Sequence, residues 1–375
     1  MLFLSADTGG GHRASAEALA KQFLIQYPGS TYELADLWTD HGCLPYRTLV
    51  NSYKHLSANP RQWRLFFHLT NNNVNEFFSQ IHSKFMCGKA IKNRIAAFEP
   101  DVVVSVHPTM NHCPRVQVRK ISKEQGKHIP FFTVVTDLGS AHITWFDKGV
   151  NKVYVASDRL SKLARKMKGT PKENIVLTGL PIRHGFAVQA DKLGDRTSQK
   201  GKEYQKSVRT ELGLDSDKPV VLVMGGGEGV GSLSEIVDQL YAKLSLQGVD
   251  ATICVVCGRN EKLRSDLETR DWDAVLKESE AKPSRRRRLL KFLKRRRSKQ
   301  IEETVRRAEQ TNVESHLKGK VDVVGLGFVT NMPEYMVAAD ILVSKAGPGT
   351  IAEAASVGLP VMLTRYVFIS NRMYA

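Results

Sequence analysis

Residues 7–18, DTGGGHRASAEA, stand between an apolar run, Met1 to Leu4, and a segment whose apolar residues, Ala16, Leu19, Ala20, Phe23 and Leu24, recur at helical spacing. The pattern predicts strand, glycine turn and helix in that order. Three consecutive glycines let backbone approach a ligand with no Cβ in the way. The helix behind them aims unpaired N–H groups at any anionic or electron-rich group placed there. His12 stands at the helix mouth, where a neutral imidazole can accept a proton near pH 7. Capping the helix or binding a phosphate is the plainer role for the same side chain.

Two loops of the same construction follow in the second half of the chain. Val220 to Met224 is a compact apolar strand leading into GGGEGVGS, residues 225–232, and then a helix carrying Ile236, Leu240 and Leu244. Ile341 to Ser344 leads into KAGPGTIAEA, residues 345–354. There Gly347 and Gly349 flank Pro348, whose fixed φ suits a helix entrance and whose missing N–H costs nothing in a first turn. A single glycine turn often serves only tight packing; three of them, spread over two halves, point to a bound ligand.

At 375 residues the chain exceeds what one core ordinarily supports, so two domains are expected. No stretch approaches the roughly 20 apolar residues of a membrane-spanning helix, and the N-terminal apolar run is too short for a signal peptide. Five cysteines, Cys43, Cys87, Cys113, Cys254 and Cys257, are odd in number and scattered, which speaks against a disulfide framework and for a reducing compartment. Cys254 and Cys257 form a C-x-x-C inside the apolar run ATICVVC. Without a second pair at zinc spacing they read as buried strand residues. Apolar strand-like runs alternate with helical segments: Asp101 to Val106 and Phe131 to Val135 in the first half, Ala251 to Val256, Val321 to Val324 and Ile341 to Ser344 in the second. That alternation predicts an α/β protein with a parallel sheet in each half. The aperiodic stretch 189–203 is the expected linker between a domain at 1–188 and one at 204–375. Ligands of such sheets bind beyond the carboxyl ends of strands, so the three glycine turns are expected to face one cleft.

Taken together, DTGGGHRASAEA, VTDLGSAHITWF (135–146), TGLPIRHGFA (178–187), VMGGGEGVGSL (223–233), VVCGRN (255–260) and KAGPGTIAEA resemble the monogalactosyldiacylglycerol synthases of plastids, in order from Ser5 to about Pro360. The resemblance implies a glycosyltransferase B fold of two Rossmann-like domains, an acceptor domain for diacylglycerol and membrane followed by a nucleotide-sugar domain. It also implies an inverting hexosyltransferase that moves galactose from UDP-galactose to the free hydroxyl of 1,2-diacylglycerol at a plastid envelope membrane. In an inverting displacement the acceptor alcohol sheds a proton as it attacks, and the departing UDP gains negative charge. One base and one cluster of positive dipoles suffice.

His12 is the expected base, with Asp137 of VTDL as its supporting carboxylate or as a competitor for the role. Gly10 and Gly11 in the first loop, Gly225, Gly226, Gly227, Glu228 and Gly229 in the second, and Gly347, Pro348, Gly349 and Thr350 in the third are expected to hold the nucleotide sugar through backbone N–H groups. Helix dipoles would then compensate the diphosphate charge, so neither a metal nor another cofactor is expected. The resemblance implies that Glu353 reaches the ribose hydroxyls and that Phe328 and Val329 lie against uracil. Arg259 of CGRN is a candidate phosphate contact or the partner of an acid. His142 and Trp145 are the acceptor-lipid candidates, because an aromatic ring with a polar N–H suits an interface between headgroup and acyl chain; Trp145 is equally compatible with the core.

Two stretches bear on the membrane. Residues 44–85 carry Tyr46, Tyr53, Trp63, Phe66, Phe67, Phe77 and Phe78 among basic residues, either as a docking surface or, as is commoner for aromatics at helical spacing, as core. The formal charge of +17 is concentrated in RRRRLLKFLKRRRSK, where ten Lys or Arg and no acid lie between Arg285 and Lys299. This insertion, about 276–318, interrupts the family pattern. It would place Leu289, Leu290 and Leu293 on one side of a basic helix, which fits anionic lipid. A solvated loop and a nucleic-acid contact are the rival readings, with no nucleic acid expected. Past GLPVML (358–363) the resemblance predicts a Pro- and Gly-containing loop with a Gln-Glu pair for the sugar. This chain reads TRYVFISNRMYA instead, so its second domain is expected to be incomplete, and Met1 starts within the first strand with no transit peptide before it. Two other functions remain compatible with these residues: a glucosyl or N-acetylglucosaminyl transferase acting on lipid, and a non-catalytic binder of anionic lipid or nucleic acid.

Overall fold

The computed structural model describes residues 1–6, 8, 11–225, 233–281, 318–345 and 347–365. They form two compact units, one of residues 1–192 joined by 346–357 and by the stretch from 363 onward, the other of 193–345 joined by 358–362. Both are α/β with all-parallel sheets, as the glycosyltransferase B expectation requires.

The first unit is built on six strands in the order β2-β1-β3-β4-β5-β6. They are β1 (Leu2–Leu4), β2 (Glu33–Ala35), β3 (Val103–Ser105), β4 (Phe131–Val134), β5 (Lys152–Val155) and β6 (Ile175–Leu177). Its helices are α1 (Gly11–Gln26), α2 (Leu37–His41), α3 (Leu49–Ala58), α4 (Pro60–Thr70), α5 (Asn73–Met86), α6 (Gly88–Phe98), α7 (His112–Gln125), α8 (Asp158–Lys168) and α9 (His184–Leu193). The strands are short and apolar on both faces, as parallel strands covered by helices must be. Leu2, Leu4, Val103, Phe131 and Val153 pack into one core, whereas Phe3, Val104 and Val134 meet Ala16 and Ala20 of α1 in another. Asp36 caps α2 by accepting from the Trp38 and Thr39 amides, and Asn72 caps α5 in the same way. The register aligns Leu4 with Ser105 and Ser105 with Thr133, so the carboxyl ends of β1, β3 and β4 finish level. Whatever follows those ends is gathered at one rim.

The second unit carries five strands in the order β11-β10-β7-β8-β9: β7 (Val220–Met224), β8 (Ala251–Val256), β9 (Val321–Leu326), β10 (Ile341–Lys345) and β11 (Val361–Arg365). Its helices are α10 (Gln199–Glu211), α11 (Leu233–Leu246), α12 (Glu261–Glu268), α13 (Trp272–Ala281) and α14 (Met332–Ala338), while α15 (Pro348–Ser356) groups with the first unit. Val221, Val223, Ile253, Val255 and Val343 form its core with Val237 of α11. Arg209 of α10 ties the sheet to that helix by donating to the Ala338 carbonyl at 2.8 Å and to Asp340 at 2.7 Å, and Asp340 also accepts from the Val220 amide. Here too the strand ends are level: Ser344 beside Met224, Met224 beside Val256, Val256 beside Leu326. The stretch read as an aperiodic linker contains the end of α9 and the start of α10, because Ser198 caps α10 and starts a helix that propensity alone did not announce.

All five cysteines are free thiols, Cys43 lying against Cys87, and the C-x-x-C cysteines are buried at the end of β8. Among the described residues no helix is long and apolar enough to cross a membrane.

Candidate active site

The rim above β1, β3 and β4 collects a nest of polar side chains. His12, in the first turn of α1, places Nδ1 2.6 Å from the Thr136 hydroxyl, just beyond β4. That hydroxyl donates to the Val106 carbonyl at 3.4 Å, so its proton is spent and the imidazole must be the donor at Nδ1. Nε2 is then left as a lone-pair acceptor. The ring is half-buried and packs edge-on against His107, centroids 4.9 Å apart, and at 5.7 Å against Trp145. Burial pushes the His12 pKa down to about 4, opposed by the Val106 carbonyl, so the ring is neutral across the physiological range.

Asp137 accepts a 2.6 Å hydrogen bond from the indole N–H of Trp145. Burial raises its pKa to about 6, with that hydrogen bond pulling the other way, so it is a carboxylate only from near-neutral pH upward. Trp145 is fully buried, and its ring lies between Asp137 and His12. The structure therefore places it inside the nest, against both the Asp137 carboxylate and the His12 imidazole, and not at a surface that lipid could touch. His142 is likewise internal: its Nδ1 faces the Thr144 hydroxyl at 2.8 Å and its Nε2 faces the Thr70 hydroxyl at 3.1 Å, where Thr70 passes its own proton to the Phe66 carbonyl. Burial lowers its pKa to about 4. Beside it the Ile143 amide donates to Asn71 at 2.7 Å, so residues 142–143 bolt the end of α4 to the nest.

Three members of the nest were not singled out in the sequence: Thr8 and Thr136, although each lies inside a quoted motif, and His107, which lies in none. Each follows the carboxyl end of a strand within four residues, and strand-end position was the one available signal.

The nucleotide-side candidates divide between described and undescribed residues. Gly10, Gly226, Gly227, Glu228 and Gly229 lie outside the described residues. Gly11 opens α1 and Gly225 follows β7. Gly347 caps α15, with Pro348 and Gly349 in its first turn and Thr350 next. A Cβ built on Gly11 or on Gly349 would meet no protein atom within 4 Å among the described residues. Packing among the described residues does not demand glycine at either place. Arg259 stands over the ring of Phe328 at 5.9 Å, the two residues following the level ends of β8 and β9, and Phe328 is 70% exposed with Val329 next to it. Glu353 in α15 receives a forked pair from Arg183, at 2.6 and 2.8 Å. Each of its oxygens keeps a second lone pair for a hydroxyl donor. Among the described residues no cluster of His, Cys, Asp or Glu is gathered as a metal site.

A second surface lies on α4 and α5. Leu65, Phe66, Leu69, Val74, Phe77, Phe78, Phe85 and Met86 are exposed, Phe78 by 64% and Phe85 by 79%. Of the aromatics in this stretch Phe67 is buried, under His142. The neighbouring exposed charges, Arg61, Arg64, Lys84 and Lys89, are all basic, and the sole acid between residues 59 and 89, Glu76, is buried and paired with Lys168.

Residues 12–182 match the family model of monogalactosyldiacylglycerol (MGDG) synthase, and residues 272–374 match that of the glycosyltransferase family 28 C-terminal domain. The chain is 34% identical over 373 residues to monogalactosyldiacylglycerol synthase 1, chloroplastic, of Arabidopsis thaliana, covering 98% of this chain and 58% of that relative. It is 32% identical to the chloroplastic monogalactosyldiacylglycerol synthase of Spinacia oleracea, covering 98% and 59%. The chain thus spans about three fifths of the length of these curated relatives. Among solved structures it is similar to Acinetobacter baumannii MurG, at 13% identity and a TM-score of 0.48 over 96% of this chain and 77% of the other. It is also similar to Anabaena HepE in complex with UDP-glucose, at 16% identity and a TM-score of 0.41 over 96% and 79%.

Proposed function

Because the chain belongs to the monogalactosyldiacylglycerol synthase family, we propose that it transfers galactose from UDP-galactose to the free hydroxyl of 1,2-diacylglycerol, with inversion, at the surface of a plastid envelope membrane. The observation that carries this reading is the state of His12: a neutral imidazole with its proton fixed on Nδ1 by Thr136 and a lone pair open on Nε2 at a helix mouth. As the acceptor oxygen bonds to the anomeric carbon, Nε2 takes the hydroxyl proton. The bond from that carbon to the diphosphate oxygen breaks, and UDP leaves with the electron pair.

A histidine with a pKa of about 4 is a weak base for this task. A diphosphate brought near it raises that value, since an adjacent negative charge favours the imidazolium. Trp145 offers its ring to the cation so formed, and the Asp137 carboxylate behind the indole adds its field. On the donor side, N–H groups at the mouths of α1 and α15 suit a diphosphate without a resident metal. Glu353, aligned by Arg183, suits ribose hydroxyls, and exposed Phe328 with Arg259 suits uracil and a phosphate.

Diacylglycerol resides in a bilayer, so an enzyme acting on it needs a face that enters one. The exposed aromatics of α4 and α5 with their basic rim meet that need, apolar groups for the acyl boundary and cations for anionic headgroups. The Arg285–Lys299 segment, which lies outside the described residues, is assigned the same partner by its composition. The test is a radiolabelled UDP-galactose assay on diacylglycerol vesicles with and without anionic lipid. Labelled galactolipid formed faster on the anionic vesicles supports the reading. Labelled product from UDP-glucose alone, or none with either donor, defeats it.

A further inference from the structure

His107 is the most deeply buried titratable group beside the base, 3% exposed, and the reaction just described gives it no part. It touches two things at once. Its Nε2 lies 3.0 Å from the hydroxyl of Thr8, at the start of the first glycine turn, and its ring packs edge-on against His12. Its Nδ1 lies 3.0 Å from the Thr109 hydroxyl, and the Thr109 amide points at the same nitrogen from 3.4 Å.

The direction of these bonds is fixed from outside the nest. An indole N–H only donates, so Trp38, 2% exposed, gives its proton to the Thr109 oxygen at 3.0 Å. The Thr109 hydroxyl proton is then left for His107 Nδ1, which already faces an amide donor and has to accept. The ring proton therefore sits on Nε2 and is donated to Thr8. A single line of donors runs from Trp38 through Thr109 and His107 to Thr8. Protonating His107 would turn Nδ1 into a donor facing donors, and burial, seconded by the nearby His12, opposes that charge. A planar ring with an acceptor on one side and a donor on the other spans this gap while offering an aromatic edge to a neighbour; neither an amide nor a phenyl ring does both.

We propose that His107 is a positioning residue whose tautomer, set by Trp38 through Thr109, holds the His12 ring and the Thr8 end of the glycine turn as one rigid body. The proposal rests on the reading of His12 as the base.

The test uses the full chain labelled with 15N, in three forms: unaltered, Thr109→Val and Thr109→Ser. Two-bond nitrogen–proton couplings report which His107 nitrogen bears the proton, independently of turnover. The unaltered chain and Thr109→Ser are expected to hold the Nε2–H form from about pH 5 to about pH 9, and Thr109→Val to show a mixture of tautomers. In the galactosyltransfer assay Thr109→Val is expected to lose roughly tenfold in kcat with KM for UDP-galactose within about twofold, and Thr109→Ser to recover most of the loss. A Thr109→Val chain that keeps the tautomer, or a Thr109→Ser chain as slow as Thr109→Val, overturns the proposal. Absence of transfer by the unaltered chain with the tautomer in place strikes the base reading instead and leaves the coupling result to judge the tautomer.

Discussion

Beyond the carboxyl ends of β1, β3 and β4 the first sheet presents side chains that hold or move protons, His12, His107, Thr136 and Asp137, whereas beyond β7 and β10 stand Gly225, Gly347, Pro348 and Gly349. On the function proposed above, the same strand-turn-helix architecture serves two kinds of chemistry. Deprotonating an alcohol needs a side chain with a tuned pKa in a fixed tautomer, so that rim is packed and internally bonded. Accepting a diphosphate needs exposed amides and open room, and a Cβ built on Gly349 meets no protein atom within 4 Å among the described residues.

Removing the base should produce the largest effect. His12→Ala is expected to lower kcat by roughly 10²–10⁴-fold, the span of general-base catalysis, with UDP affinity within about twofold. A variant keeping more than about a tenth of the rate assigns the proton to another group.

Acid should separate the two units next, because every described histidine lies in the first. For His12 and His142 the folded value of about 4 lies below the ordinary 6.5, so between those limits the unfolded chain binds a proton that the folded one refuses. Stability is therefore lost as pH falls through that window, about 2 kcal/mol for each by pH 5. Asp137 works the other way: its folded value of about 6 exceeds the ordinary 3.8, so folding gains about 1 kcal/mol over the same descent. The net expectation is an earlier melting transition for the first unit at pH 5 than at pH 7, with the second little moved. Calorimetry showing both transitions unmoved, or the second moving more, would remove this distinction.

A smaller effect tests the open room at α15. Gly349→Val adds a side chain where the protein has nothing, so the melting temperature should hold while UDP affinity drops about tenfold, about 1.4 kcal/mol. Unchanged affinity in a titration would mean that the space is solvent and not a ligand's. Smallest of all, deleting Arg285–Lys299 should leave UDP affinity within about twofold while weakening attachment to anionic vesicles. A nucleotide site that vanished with it would tie the segment to the donor rim.

Legibility in the sequence followed how far each feature depends on neighbours in the chain. The strands that were readable are compact apolar runs, β7 being expected at Val220 to Met224 and running there, whereas β2, β5, β6 and β11 were not read, β2 being three residues with no β-branched or aromatic side chain. His12 and Asp137 were readable because each sits in a motif next to a strand. His107 was not: its partners Thr8 and Trp38–Thr109 come from places 99 and up to 71 residues apart along the chain, and parallel strand register alone brings them together. The aromatics of residues 44–85 posed the opposite difficulty. Helical spacing is the same for a stripe facing a core and one facing outward, and the outcome turned on what packs beneath: Phe67 is buried against His142, while Phe66, Phe77 and Phe78 stay exposed with only neighbouring aromatic rings beside them. Trp145 misled as a lipid contact because its N–H, the polar handle that suggested an interface, is spent on Asp137.

The span from α2 to α6 is a single crossover between an edge strand, β2, and β3, and it runs for roughly sixty residues where such a connection requires a dozen or so. The excursion is tied to the rim at several points, Trp38 of α2 donating to Thr109 and the end of α4 meeting His142 and Ile143 through Thr70 and Asn71, so the part free to change its greasiness is the outward face of α4 and α5. On the function proposed above, exchanging that outward face for a relative's is expected to change which bilayer the protein favours while the hydrogen bonds of the rim stay in place.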